Sequence, residues 1–180
     1  MRIAVSGTHC IGKSALINEF LRSHSDFAHE PEPYTVLVED YGEEFSSEPC
    51  VDDFYRQLEF IVDRLGHHSY GERVIYERSP VDFLAYILAL RDLNRDHVDS
   101  GLARRALGIV GEAIRDLEMI VFLPLDGSDG VDGFLLVVVD SSDTGEFAPN
   151  TLGAINGMNR PTHPVPPPGP SNRAPICVSG

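Results

Sequence analysis

Lysine is almost missing from this chain. Lys13 is the only one in 180 residues, and the remaining basic side chains are all arginine. Positive charge is scarce overall: 14 basic residues stand against 28 acidic ones, for a formal net charge of −14. An anionic surface of this kind argues against non-specific binding of nucleic acid and against docking on an anionic membrane. It does not argue against a small phosphorylated ligand, which backbone amides and one or two cations can hold locally. Paired cysteines are missing too. Cys10, Cys50 and Cys177 are far apart and form no CxxC, so neither a disulfide framework nor a zinc site is expected. No apolar run approaches the ~20 residues of a membrane helix. The chain starts with a short strand-like run that meets a glycine at once, unlike a secretory leader. Cytoplasmic residence is the resulting expectation.

What is present begins at the amino terminus. Residues 2–6, RIAVS, have the apolar character of a short buried strand, and Gly7 opens a turn. From Ser14 onward Leu16, Ile17, Phe20 and Leu21 recur at helical spacing. Between strand and helix lies GTHCIGKS, residues 7–14, which meets the pattern G-x-x-x-x-G-K-[ST]. Each residue type has a physical reason. Glycine lets the backbone curl until successive N–H groups point inward at phosphate oxygens. The helix that follows presents its positive end to the same anion. Lys13 places a compact ammonium on the β- and γ-phosphates, and Ser14 offers a hydroxyl to Mg²⁺. The planar fork of arginine does not replace that ammonium in a tight loop. This accounts for one retained lysine at this position. Gly7, Thr8, His9, Cys10, Ile11, Gly12, Lys13 and Ser14 are therefore the expected cradle for ATP with Mg²⁺. His9 and Cys10 fall where the pattern is free and are read as filling space. ATP is preferred to GTP because no [NT]-K-x-D stretch exists; the single lysine is already used.

Further along, DFAHEPEP suggests a second strand ended by Pro31 and Pro33. An apolar stripe from Val51 to Leu65 marks an amphipathic helix. ERVIYE, residues 72–77, reads as a third strand. Ser79, Pro80 and Asp82 then give an N-cap, a first-turn proline and an acid three residues after the cap, ahead of a largely apolar helix. A further helix runs over 102–117, and MIVFLPL, 119–125, is a further buried strand. Strands alternating with helices imply crossover connections and a parallel sheet, so the expected fold is a three-layer α/β sandwich. The division expected is a nucleotide-binding domain over 1–126 and an atypical Gly/Pro-rich segment over 127–180. Within that segment FLLVVVD, 134–140, follows the previous strand too closely for a helical crossover, so it is expected antiparallel or at an edge. The last 40 or so residues, with HPVPPPGP, are expected to be poorly ordered.

Two other stretches carry chemistry. In YERSPVDFLAY, Glu77 ends a central strand beside the phosphate loop, where a carboxylate can hold Mg²⁺ directly or through water. Arg78 follows it, in place to meet a phosphoryl group or a substrate oxygen. In EPEPYTVL, either Glu30 or Glu32 ends the second strand. Strand carboxyl ends surround the ligand crevice of an open parallel sheet, and a carboxylate there can accept the proton of an attacking hydroxyl. His67 and His68 lack a third ligand nearby and are expected to face solvent.

Taken in this order, the pieces resemble the AAA-type ATP-binding P-loop proteins close to the nucleoside and nucleotide kinases, including the nicotinamide-riboside kinase group. The resemblance covers residues 1 to about 125 and rests on GTHCIGKS, EPEPYTVLVEDYG with DDFYRQLEF, YERSPVDFLAYILAL and DLEMIVFLPL. It implies a kinase-like fold with the P-loop strand central and a triphosphate on Gly7 to Ser14. It further implies Glu77 assisting Mg²⁺, Arg78 facing a nucleoside-like acceptor, and Glu32 as the acid at the acceptor hydroxyl, with Glu30 as the alternative. The chain departs from that pattern after Asp126, where a lid bearing arginines would be expected and the next arginine is Arg160. A nucleotide-binding accessory protein with little turnover is therefore the second expectation.

Overall fold

A computed structural model describes residues 1–69, 71–96, 98–124 and, for the backbone, 135–138. The sheet has the order β2-β3-β1-β4-β5. Its strands are β1 (Arg2–Gly7), β2 (Ala28–Glu30), β3 (Val74–Glu77), β4 (Met119–Leu123) and β5 (Leu135–Val138). The first four are mutually parallel, and β5 runs antiparallel to β4 at the edge. The antiparallel edge strand is the one expected from the short polar connection before it. The remainder of 127–180, where the atypical tail was expected, lies outside the described residues.

Among the described residues five α-helices surround the sheet: α1 (Lys13–Ser23), α2 (Pro33–Glu39), α3 (Val51–His67), α4 (Pro80–Asp92) and α5 (Ser100–Ala113). Alternation along β1 decides which faces which. Ala4, with Val74, Tyr76 and Ile120, packs beneath α3, α4 and α5, against Leu58, Ile61, Phe83, Ile87, Ala106 and Val110. Ile3 and Val5, with Ile75, pack on the opposite face against Ile17 of α1 and against Phe27. Both faces of the sheet are covered, as parallel strands require, and the architecture is three-layer α/β. Leu58, Ile61 and Leu65 supply the inward face of α3, and burial of each side chain contributes about 1.5–3 kcal/mol.

Helix starts follow the sequence signals. Ser79 and Asp82 form a reciprocal capping box with Pro80 in the first turn of α4, and Cys50 with Asp53 forms another ahead of α3. α5 starts on Asp99, whose carboxylate accepts from the Leu102 N–H at 2.8 Å. α2 was not anticipated. Its seven residues are too short for a helical repeat to show, and Pro33, read as ending β2, is instead its first residue. No helix among the described residues is long and apolar enough to cross a membrane.

Candidate active site

The site lies where β1, β2 and β3 end. Gly7 closes β1 with φ of 146°, and a Cβ added there would come within 2.9 Å of the Leu123 carbonyl oxygen, so no side chain fits. Gly12, at φ of 99°, is the left-handed residue from which α1 starts. Cys10 also takes a positive φ, of 58°, so the free positions of the pattern are part of the curl. The fold thus places residues 7–14 around the positive end of α1.

Lys13 is 4% exposed although it is the first residue of a surface helix. Its Nζ donates to the Thr8 carbonyl at 2.8 Å and the Gly7 carbonyl at 3.3 Å. Burial pushes its pKa below the ordinary value, and Arg78 pushes the same way; Glu32, Asp82 and Glu77 oppose them. Ser14 Oγ donates to Glu77 Oε1 at 2.7 Å. The other Glu77 oxygen is 3.9 Å from His29 Nε2. A serine hydroxyl beside a carboxylate is a set of hard oxygen donors, the chemistry Mg²⁺ takes, so Ser14 and Glu77 fit that ion. His29 was not singled out in the sequence; only the β2–β3 pairing brings it to Glu77.

Arg78 is 2% exposed, with a positive φ of 90° that costs about 1–3 kcal/mol in a residue with a Cβ. Its guanidinium offsets that strain with five contacts, one of them an ion pair with Asp82 Oδ1 at 3.6 Å. Nε donates to Glu32 Oε1 at 2.7 Å, and one terminal nitrogen donates to the Gly7 carbonyl at 2.6 Å and the Tyr86 hydroxyl at 2.7 Å. The other terminal nitrogen lies 3.2 Å from His9 Nδ1. Burial works against this charge, but Glu32, Tyr86 and Asp82 hold its pKa above the ordinary value. His9, expected only to fill space, is a partner of Arg78.

The two candidate acids of β2 separate cleanly. Glu30 points to α3, where Arg64 grips both of its oxygens at 2.9 and 2.6 Å and His68 Nε2 lies 2.9 Å away. Glu32 caps α2 and faces Arg78. His68 is therefore half-buried between Glu30 and Glu72, at 2.9 and 2.8 Å, and does not face solvent as expected. The pull of Glu30 across the β2–α3 gap is what the sequence could not show. Arg104 and Arg105 are exposed on α5 and do not join the site.

Glu32 and Arg78 lie in the wall of a cavity of about 280 Å³. His9 of the 7–14 loop forms part of the same wall. Its other sides carry two aromatic pairs: Tyr34 with Phe45, centroids 5.1 Å apart, and Phe54 stacked on Tyr86 at 4.9 Å. Gln57, buried and donating to the Asp53 carbonyl at 3.1 Å, also lines it.

A central β1, a glycine-rich loop leading into α1 and an acid-bearing neighbour strand make up a three-layer α/β fold with a strand–loop–helix unit at the carboxyl end of the sheet. No family model and no curated protein matches the chain. Among solved structures it is similar to the thymidylate kinase of Ehrlichia chaffeensis, with 14% identity and a TM-score of 0.47 over 70% of this chain and 73% of that one.

Proposed function

We propose that this protein binds ATP with Mg²⁺ on Gly7–Ser14 and transfers the γ-phosphoryl group to a hydroxyl of a small, nucleoside-like molecule. The observation that carries the reading is the common wall of the cavity, where Glu32 and Arg78 stand beside His9 of the loop. A hydroxyl held there is within the compass of both a carboxylate and the phosphate cradle. The proposed steps are few. The loop amides and Lys13 hold the polyphosphate, and Lys13 exchanges its present carbonyl partners for phosphate oxygens. Ser14 and Glu77 hold Mg²⁺, which neutralises charge on the phosphates. Glu32 accepts the proton of the acceptor hydroxyl as its oxygen bonds to the γ-phosphorus; the bond from that phosphorus to the β,γ-bridging oxygen breaks, and ADP leaves.

The aromatic pairs and Gln57 suit a flat ring with polar edges, in keeping with a nucleoside-like acceptor. A closer likeness to the nicotinamide-riboside kinase group rests on GTHCIGKS, EPEPYTVLVEDYG with DDFYRQLEF, YERSPVDFLAYILAL and DLEMIVFLPL, and is part of this proposal. One observation favours a second reading, a nucleotide-binding accessory protein with little turnover. Arg78 is already engaged by Glu32, Gly7, Tyr86, His9 and Asp82, so among the described residues Lys13 is the cation best placed for a transferring phosphoryl group. A coupled assay of ADP release across nucleosides, nicotinamide riboside and simple alcohols separates the two. Acceptor-dependent turnover is expected. Mg·ATP binding without stimulation by any acceptor would favour the accessory reading, and no Mg·ATP binding at all would end both.

A further inference from the structure

The carboxylate of Asp82 has no part in the steps above, yet it is buried at 8% exposure. Its Oδ2 serves the helix cap, accepting from the Ser79 N–H at 2.8 Å and the Ser79 hydroxyl at 3.2 Å. Its Oδ1 accepts instead from the Gly7 N–H at 3.0 Å, 75 residues away in sequence. The sheet explains why that N–H is available. The register of β1 with β3 ends at Val5 opposite Glu77, so Gly7 extends past its neighbour strand. In an extended strand the N–H and C=O of one residue face the same side. Gly7 therefore presents both groups toward the start of α4, and a buried pair left unmet would be costly. Asp82 meets the N–H. Arg78 meets the C=O at 2.6 Å, and the Ser6 and Ser79 hydroxyls join at 2.6 Å beside them.

We propose that Asp82 is a positioning residue for the phosphate loop, gripping Gly7 together with Arg78 and so setting the direction in which residues 8–12 leave the strand. This rests on the nucleotide-binding reading above. A binding constellation must be held by supporting hydrogen bonds to within a fraction of an ångström, and Gly7 is the hinge of this one. Its carbonyl also receives Lys13, so displacement of Gly7 moves the ammonium's resting place as well.

The test uses the full chain and three variants, Asp82→Ala, Asp82→Asn and Ser79→Ala. Amide exchange at Gly7 is followed by NMR and Mg·ATP affinity by calorimetry. Asp82→Ala is expected to speed Gly7 exchange and to weaken Mg·ATP about tenfold, the loss of one buried hydrogen bond. Asp82→Asn keeps a neutral acceptor oxygen and should fall between it and the parent. Ser79→Ala removes the hydroxyl contacts to Asp82 Oδ2 and Ser6 but leaves Oδ1 on Gly7, and is expected to lower the melting temperature while changing both readouts less than Asp82→Ala does. Parental Gly7 exchange in the Asp82 variants, or faster exchange with affinity within twofold of the parent, overturns the proposal. Should Asp82→Ala fail to fold, Asp82→Asn decides by the same criteria. A parent with no heat of Mg·ATP binding overturns the nucleotide reading and with it the role of Asp82 there, while Gly7 exchange still reports whether the grip exists.

Discussion

Arg78 Nε and Glu32 Oε1 meet at 2.7 Å across 46 residues of sequence, joining the end of β3 to the start of α2. Both residues line the cavity. Glu32→Gln keeps the shape and removes the base. On the proposed reading it lowers acceptor-dependent turnover by at least ~100-fold, the usual contribution of a general base. Mg·ATP affinity, measured by calorimetry, should stay within a few fold, because Glu32 does not touch the loop backbone. A Glu32→Gln protein that turns over at the parental rate removes Glu32 from the chemistry.

Glu30 should behave in the opposite way, as a structural acid. Burial raises its pKa, but hydrogen bonds from Arg64 and His68 outweigh that effect and hold it below the ordinary value. A carboxyl with a depressed folded pKa stabilises the protein fully above its unfolded pKa. That stability is lost as pH falls through the lower folded value. Glu30→Gln is expected to cost about 1–3 kcal/mol at pH 7, the range for hydrogen bonds to a charged group. Urea denaturation at several pH values should show the gap between parent and variant narrowing once the pH drops below the ordinary glutamate pKa. A gap of constant size across that range would mean that the Arg64 and His68 contacts do not set the pKa.

The order of elements other than α2 was legible because the longer ones have a period long enough to show. The stripe from Val51 to Leu65 gave α3, the Ser79-Pro80-Asp82 start gave α4, and continuous apolar runs gave strands covered on both faces. The curl of residues 7–12 was legible for a different reason: Gly7 and Gly12 are dictated by backbone conformation, with φ of 146° and 99°. Contacts between elements were not legible. Nothing in EPEP says that Glu30 turns to Arg64 while Glu32 turns to Arg78, because two residues on opposite sides of Pro31 diverge only once α3 and α4 are packed. His9, His29, His68 and Asp82 gained their partners in the same way. The positive φ of Arg78 has no sequence signal, since the strain is held by contacts from the 7–9 loop, from Glu32 and from α4.

Gly7 and Gly12 separate two reasons for glycine within one loop. At Gly7 an added methyl meets backbone, the Leu123 carbonyl oxygen, and the φ of 146° is unfavourable as well. At Gly12 the φ of 99° is unfavourable, but no atom lies within 4 Å of an added Cβ. Gly12→Ala should therefore cost about 1–2 kcal/mol, the penalty for a left-handed residue with a side chain. Gly7→Ala should cost more, because β1 and β4 must also move apart. Chemical denaturation of both variants checks the ranking, and equal losses would show that the β1–β4 contact yields freely.

Lys13 is the residue at which stability and function should part. Its ammonium is buried, and burial, then Arg78, pulls its pKa down against Glu32, Asp82 and Glu77. A lysine with a lowered folded pKa binds fewer protons in the folded than in the unfolded chain. Its contribution to stability therefore rises with pH between the folded value and the ordinary one. Lys13→Met keeps the length and removes the charge, at the loss of two bonds to loop carbonyls. The melting temperature of the ligand-free variant near neutral pH is expected to equal or exceed that of the parent, since a desolvated charge is exchanged for an apolar group. Mg·ATP affinity should fall by about 10–100-fold, the loss of a charge-assisted contact to phosphate. Differential scanning calorimetry with and without Mg·ATP reads both quantities in one experiment: the parent's melting temperature rises with ligand, and the variant's rises less at the same ligand concentration. A clear loss of stability without ligand would mean that Lys13 is retained to hold the loop together, and its place as the chain's single lysine would need a structural reason.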